Sequence, residues 1–220
     1  MPTYLYGLVL PADASRVSTT ASGIQGTPVR VLTCADLSAV VSTMERAPGS
    51  ATLEDVRAHD AVLQSVVDAG ATAVAVRFGQ SFDNDAHTCA HVDERGERAL
   101  AVLREYEGCI EMRLLLAEEV QAAEPTAMSQ SEAVGPGRAY LEHARAERDR
   151  IEGLALRGAL GPVVRAERVQ VLPRGRGVAF AHLVRREDID SYHEAVAALP
   201  ALADAVVVGP LALYSFAEPA

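Results

Sequence analysis

From Thr3 through Phe82, apolar positions recur with a period of two in short runs closed by turn formers, the signature of β-strands. Thr3 to Leu10 sets Tyr4, Tyr6 and Leu8 on one side and Leu5, Gly7 and Val9 on the other, so it predicts a buried first strand ending at Pro11. Ala12 to Thr27 is rich in Ser, Thr and Gly without a clear period and predicts a loop or a degenerate helix. Val29 to Thr33 and Leu37 to Met44 flank Cys34, Ala35 and Asp36 as a hairpin, and a Pro48-Gly49 turn follows. The period then changes. Thr52 with Asp55 forms a capping pair, and Val56, His59, Leu63, Val66 and Val67 recur at helical spacing until Gly70. Thr72 to Phe82, TAVAVRFGQSF, returns to alternation and predicts a central strand, with Val74, Val76 and Phe78 on one face, Ala73, Ala75 and Arg77 on the other, and Gly79 ending it.

Asp83, Asn84 and Asp85 open a long helix whose apolar positions Val92, Ala99, Val102, Leu103 and Tyr106 share one stripe up to Gly108. Ile110, Met112, Leu114 and Leu116 alternate with Glu111 and Arg113 as a strand, and 118–135 is an acidic loop. Beyond Pro136, the line Leu141, Ala144, Ile151 and Ala155 between alternating charges predicts an exposed amphipathic helix over 137–158. Val169 to Leu172 and Val178 to Val184 form a second hairpin around Pro173 to Gly177. Ile189 to Leu199 is a helix, and Ala205 to Phe216 a last strand broken at Gly209-Pro210. The resulting fold class is α+β. Two ferredoxin-like βαββαβ domains are expected: a modified N-terminal one with its first helix eroded (1–84), a bridging helix (85–108), and a C-terminal domain (109–220) ending in a short dispensable tail.

Composition narrows the class of partner. Of 220 residues, 49% are hydrophobic and 23% charged, which suits packed domains rather than disorder. Thirty acids oppose 20 basic residues, all arginine, and the net charge of −10 disfavours nucleic acid and anionic membranes, leaving proteins as the expected partners. Cys34, Cys89 and Cys109 are odd in number and lack a CxxC spacing, so they are expected as reduced core residues of a cytosolic protein. The opening MPTYLYGLVLP has no basic leader region, and no stretch predicts a membrane span, so the expected location is the cytoplasm.

Candidate chemistry thins out on inspection. Asp83, Asp85, His87 and Glu94 sit at calcium-loop offsets, but Thr88 stands where the sharp turn needs glycine. His87 and His91 share a helical face without a third ligand at a recognisable distance. The Gly175-Arg176-Gly177 tip lacks the interleaved aromatics of a nucleic-acid site. With no lysine, Schiff-base and phosphate-loop lysine chemistry are excluded, and no GxSxG or GxGxxG is present, so a non-enzyme is expected. Arg77, a fixed charge late in an apolar strand, is expected to tie the strand end to a neighbouring acid such as Glu111, or to serve a ligand. His182, on one strand face with Val178, Phe180 and Val184, is either a hydrogen-bonded core histidine or a ligand.

Five separated segments, YLYGLV, HDAVLQSV, AVRFGQSF, GPGRAYL and GPLALYSF, resemble in that order the gas vesicle protein F and L family. The resemblance implies a two-domain accessory protein that helps nucleate or assemble the gas vesicle shell through the small hydrophobic shell protein and other accessory proteins. It singles out Arg77, Phe78, Gly79, Arg138, Tyr140, Tyr214 and Phe216 as motif or partner-contact residues, located in the cytoplasm and at the gas vesicle. No cofactor or metal is implied, and self-association is compatible with it. The alternative is a haem or small-ligand protein built from paired ferredoxin-like domains, with His182 as axial ligand.

Overall fold

The computed structural model describes residues 1–17, 21–45, 52–117, 159–171 and 177–216. The expected helix at 137–158, with Arg138 and Tyr140, lies outside the described residues. So do the acidic loop at 118–135, the Pro48-Gly49 turn, most of the Pro173 to Gly177 turn, and the tail beyond Phe216. The chain divides into two units, one of Met1–Glu111 with Gly209–Ala220 and one of Met112–Val208.

In the first unit, β1 (Thr3–Val9) is buried at every position and lies inside the sheet, as its two apolar faces require. β2 (Val29–Thr33) and β3 (Ser38–Thr43) form the expected hairpin, and β3 pairs antiparallel with β1. α1 (Leu53–Asp68) begins at a capping box in which the Thr52 side chain accepts from the Asp55 N–H and Asp55 reaches back to Thr52. Its stripe His59, Val62, Leu63, Val66 and Val67 is buried. A Cβ at Gly7 would stand 2.7 Å from Leu63 Cδ2 and 2.8 Å from the Val74 carbonyl oxygen, so only glycine lets β1 and α1 approach this closely.

The path gives a sheet order of β2-β3-β1-β4, with β4 (Ala73–Ala75) antiparallel to β1. This is the βαββαβ order, with the first helix reduced to 3-10 turns at Pro11–Arg16 and Ile24–Gly26. Tyr6 replaces that helix as an anchor: its hydroxyl donates to Ser42 Oγ at 3.1 Å and accepts the Ile24 N–H at 2.9 Å. The segment expected to be the central strand is corrected on two points. β1 takes the interior place and β4 lies at the end of the path, where Leu213 covers its outer side through bonds to Ala73 and Ala75. The strand also stops after Ala75 and resumes only as β5 (Ser81–Phe82), which pairs with the start of β1.

The expected bridging helix is two helices, α2 (Asp85–Arg95) and α3 (Glu97–Glu105), divided at Gly96, and both belong to the first unit. Asn84 caps α2 by accepting the His87 N–H, and the Asp85 carboxylate receives Thr3 at 2.7 Å and Arg30 at 2.6 Å. The Arg30 hydrogen bond, and then that of Thr3, holds Asp85 below the usual carboxylate range. The cysteines are also corrected: Cys34 and Cys89 form a disulfide that joins the hairpin turn to α2, while Cys109 is a buried cysteine outside any disulfide. Their separation of 55 residues carries no pattern in sequence, and only the fold brings them to a Cα distance of 5.2 Å.

The second sheet is formed by β6 (Cys109–Ala117), β7 (Val164–Val171), β8 (Gly177–Arg185) and β9 (Val206–Leu211), ordered β7-β8-β6-β9. Numbered within each half, the order is the same as in the first sheet, so the two halves share a topology. α4 (Ile189–Ala197) packs through Tyr192 and Val196. β9 runs through Gly209-Pro210, a cis peptide, rather than breaking there, and the chain from Gly209 onward belongs to the first unit rather than to a C-terminal domain.

Candidate functional site

The most developed site is built where the first sheet is interrupted. Between β4 and β5 the chain leaves the sheet, and Val76, Arg77, Phe78 and Gln80 line an open cavity of about 990 Å³ in the first unit. Leu5, Leu8, Val74 and Ala75 of the sheet contribute to its apolar wall. Val56, His59 and Asp60 of α1 face it, as do His91, Val92 and Arg95 of α2, Ala99 of α3, and Tyr214.

A chain of hydrogen bonds fixes the arch. Gly79 has φ +93°, in the left-handed region that favours glycine, and this turns its N–H toward Tyr4, whose hydroxyl accepts it at 3.0 Å. The single Tyr4 proton is then directed to His59 Nδ1, 3.0 Å away, which assigns the neutral His59 proton to Nε2. Phe78 packs its ring edge-on against His59 and Tyr4, at centroid distances of 5.7 and 6.1 Å. Burial pushes Tyr4 up to about 12 and His59 below the ordinary imidazole value; Asp60 and the Val76 backbone oppose the His59 shift only in part. Both groups stay neutral near pH 7, so the floor is uncharged.

The rim is charged. Arg77 and Arg95 are exposed, and among the described residues neither side chain has a hydrogen bond or ion pair. The expected tie between Arg77 and Glu111 is therefore corrected, because Glu111 is buried and accepts from Ser215 instead. The Asp60 carboxylate is engaged by the Tyr214 hydroxyl at 2.8 Å. His91 lies over Phe82 at 4.7 Å, whereas His87 is 3.2 Å from Asp83, so the two histidines have separate environments.

Of the residues singled out in sequence, Arg77, Phe78 and Tyr214 meet at this cavity, and Gly79 supports it through Tyr4. Phe216 is elsewhere, 5% exposed and 6.4 Å from the Tyr106 ring. His59, Asp60, His91 and Arg95 were not singled out as partner contacts. His59 has two signals in the sequence, its place on the buried stripe of α1 and its position at the head of the HDAVLQSV segment.

His182 is fully buried in the second unit with both ring nitrogens engaged. Nδ1 is 2.8 Å from the Tyr192 hydroxyl, and Nε2 is 3.1 Å from Glu167 Oε2. His182 Nε2–H donates to the Glu167 carboxylate and Nδ1 accepts from the Tyr192 hydroxyl, so both ring nitrogens are used and no lone pair is left for an axial bond to haem. Burial lowers the His182 pKa and raises that of Tyr192.

In overall structure the chain is similar to the crystal structure of gas vesicle protein GvpF from Anabaena sp. PCC7120, with a TM-score of 0.77 at 17% identity over 100% of this chain and 97% of the other. It is likewise similar to GvpF from Microcystis aeruginosa, with a TM-score of 0.74 at 17% identity over 99% of each chain. In sequence it is 34% identical over 113 residues to gas vesicle protein F of Haloferax mediterranei, a match that spans 50% of this chain and about half the length of that relative, 51%. The model of the gas vesicle synthesis protein GvpL/GvpF family matches residues 2–218, and the chain belongs to that family, with a role connected to gas vesicles.

Proposed function

We propose that this protein is a non-enzymatic assembly factor that holds the small hydrophobic gas vesicle shell protein, together with other accessory proteins, while the shell is nucleated or extended. It works in the cytoplasm and at the gas vesicle. Family membership supports the vesicle role, and the observation that carries the binding role is the open cavity of the first unit, apolar at its floor and fringed by Arg77 and Arg95, whose side chains have no partner among the described residues. An apolar subunit that polymerises needs its exposed surface covered until it is added, and an open apolar trough covers such a surface. Strand addition at β4 is the weaker route, because Leu213 already bonds to its outer edge. Among the described residues no helix is long and apolar enough to cross a membrane.

The test is co-expression of the tagged chain with the shell protein, followed by capture and by imaging of vesicles in cells that lack the chain. Capture of the shell protein, together with loss of vesicles in those cells, is the expected result. Normal vesicles in those cells would remove the assembly role.

A further inference from the structure

We infer that the cavity of the first unit seats an acidic amphipathic segment of a partner protein, with its apolar side chains on the floor and its carboxylates on Arg77 and Arg95. The inference rests on the reading that this protein holds other proteins, and specifies the chemistry of what is held.

Three observations carry it. The cavity is an open trough of about 990 Å³, at the upper end of small-ligand sites, which usually enclose most of their ligand. An open apolar trough instead suits a chain segment that enters with one face and leaves the other in water. The walls Val56, Val74, Phe78, Val92 and Ala99 come from different elements and provide contact for several apolar side chains.

The charge distribution chooses the sign of the segment. The chain carries −10 overall, yet the residues lining the trough include Arg77 and Arg95 against one acid, Asp60, already bonded by Tyr214. The two guanidiniums stand on different elements, the arch after β4 and the last turn of α2, and among the described residues nothing neutralises either. An unpaired arginine beside apolar surface is matched by a carboxylate that approaches with its own apolar neighbours, and its planar fork binds two oxygens at once. Against a negative molecule, a local positive rim also sets where an acidic segment lands and in which direction it lies.

The experiment is fluorescence polarisation with the full chain and two labelled amphipathic peptides, each with leucines at i, i+3, i+4 and i+7. One carries glutamates on the flanking positions and the other lysines. Wild type is expected to bind the glutamate peptide saturably, at least about tenfold tighter than the lysine peptide, and more weakly as salt rises. The R77E/R95E variant is expected to reverse that preference. Both positions are exposed, so its thermal melt should match wild type; R77Q/R95Q, which abolishes the preference without reversing it, provides a second check. Equal affinity for the two peptides, no saturable binding, or a preference unchanged in R77E/R95E would overturn the inference. So would a wild-type dimer that dissociates in R77E/R95E without any peptide binding, since the trough would then belong to a second copy. Shell-protein capture separates this from the broader reading. Capture without peptide binding removes only the acidic segment, whereas peptide binding without capture supports the segment and removes the shell protein as its source.

Discussion

Ser215 donates twice to Glu111: its backbone N–H reaches Oε2 at 2.7 Å and its hydroxyl reaches Oε1 at 2.8 Å. Glu111 is fully buried on β6, so the Tyr-Ser-Phe segment is held by an interior carboxyl group rather than only by its aromatic rings. Ser215→Ala removes one donor and should cost about 1–2 kcal/mol. Glu111→Gln keeps one oxygen for the Ser215 N–H but turns an NH₂ toward the hydroxyl, which must reverse to accept it, so a bond to a carboxyl oxygen is exchanged for a weaker neutral one at a cost of about 1 kcal/mol. Either substitution removes the same hydroxyl-to-carboxyl bond, so the double variant should cost less than the two single variants together. Urea midpoints of the four proteins test this, and strict additivity would mean that the pair is not coupled.

Phe216 is a core residue at the end of the same segment. Phe216→Ala should cost about 3–4 kcal/mol through the cavity beside Tyr106, seen as a lower melting temperature. A melt within a degree or so of wild type would instead assign the ring to a partner surface.

Arg77 and Gly79 should separate in stability although they are two residues apart. Arg77 is exposed and its side chain has no partner among the described residues, so Arg77→Ala should stay within about 0.5 kcal/mol of wild type. Gly79→Ala forces a side chain into φ +93° and disturbs the N–H that Tyr4 accepts, for a cost of about 1–3 kcal/mol. A larger loss at Arg77 than at Gly79 would contradict this account of the arch.

The disulfide closes a span of 55 residues between the hairpin turn and α2. Cys34→Ala with Cys89→Ala should therefore lower stability by about 2–4 kcal/mol, mostly by freeing the unfolded chain. The melting temperature of wild type should fall likewise on reduction, while that of the double variant should not respond to reductant. A reductant effect of equal size in both would place the sensitivity elsewhere.

His59 and His182 make stability depend on pH in a definite direction. Burial lowers both from 6.5, so below that value the unfolded chain takes up protons that the folded protein resists. Their contribution is complete above about pH 6.5 and is lost as pH falls toward the folded-state values, by at most about 1.4 kcal/mol per pH unit for each histidine. Urea midpoints at pH 7.5, 6 and 5 should fall in that order. His59→Phe and His182→Phe should each flatten the slope whatever they do to the absolute value. Slopes identical to wild type in both variants would refute the assignment.

Local physics was legible in the sequence wherever one element decides its own form. The alternation in β1, the Thr52 and Asp55 capping box, the Asn84 cap within the expected Asp83 to Asp85 start and the hairpin of β2 and β3 all depend on neighbours a few residues apart, and all stand in the structure. So does the succession of elements in the first half, with its first helix reduced to 3-10 turns. Arg77, Phe78 and Tyr214, which the family resemblance rather than any local pattern names together, line one cavity.

Only the tertiary structure decided the long-range relationships, because sequence spacing does not encode which distant groups meet. Cys34 and Cys89 look unrelated until the hairpin turn is brought to α2. Thr72 to Phe82 has the two apolar faces of a central strand, but its outer edge is covered by Leu213 from the far end of the chain, and an arch at Arg77 to Gly79 leaves the sheet before β5 rejoins it. That arch puts the Arg77 charge in water, where no buried acid is needed to balance it, and frees Glu111 to receive Ser215. Periodicity reports which side chains are buried; the contact that buries them is set by where the whole chain folds back.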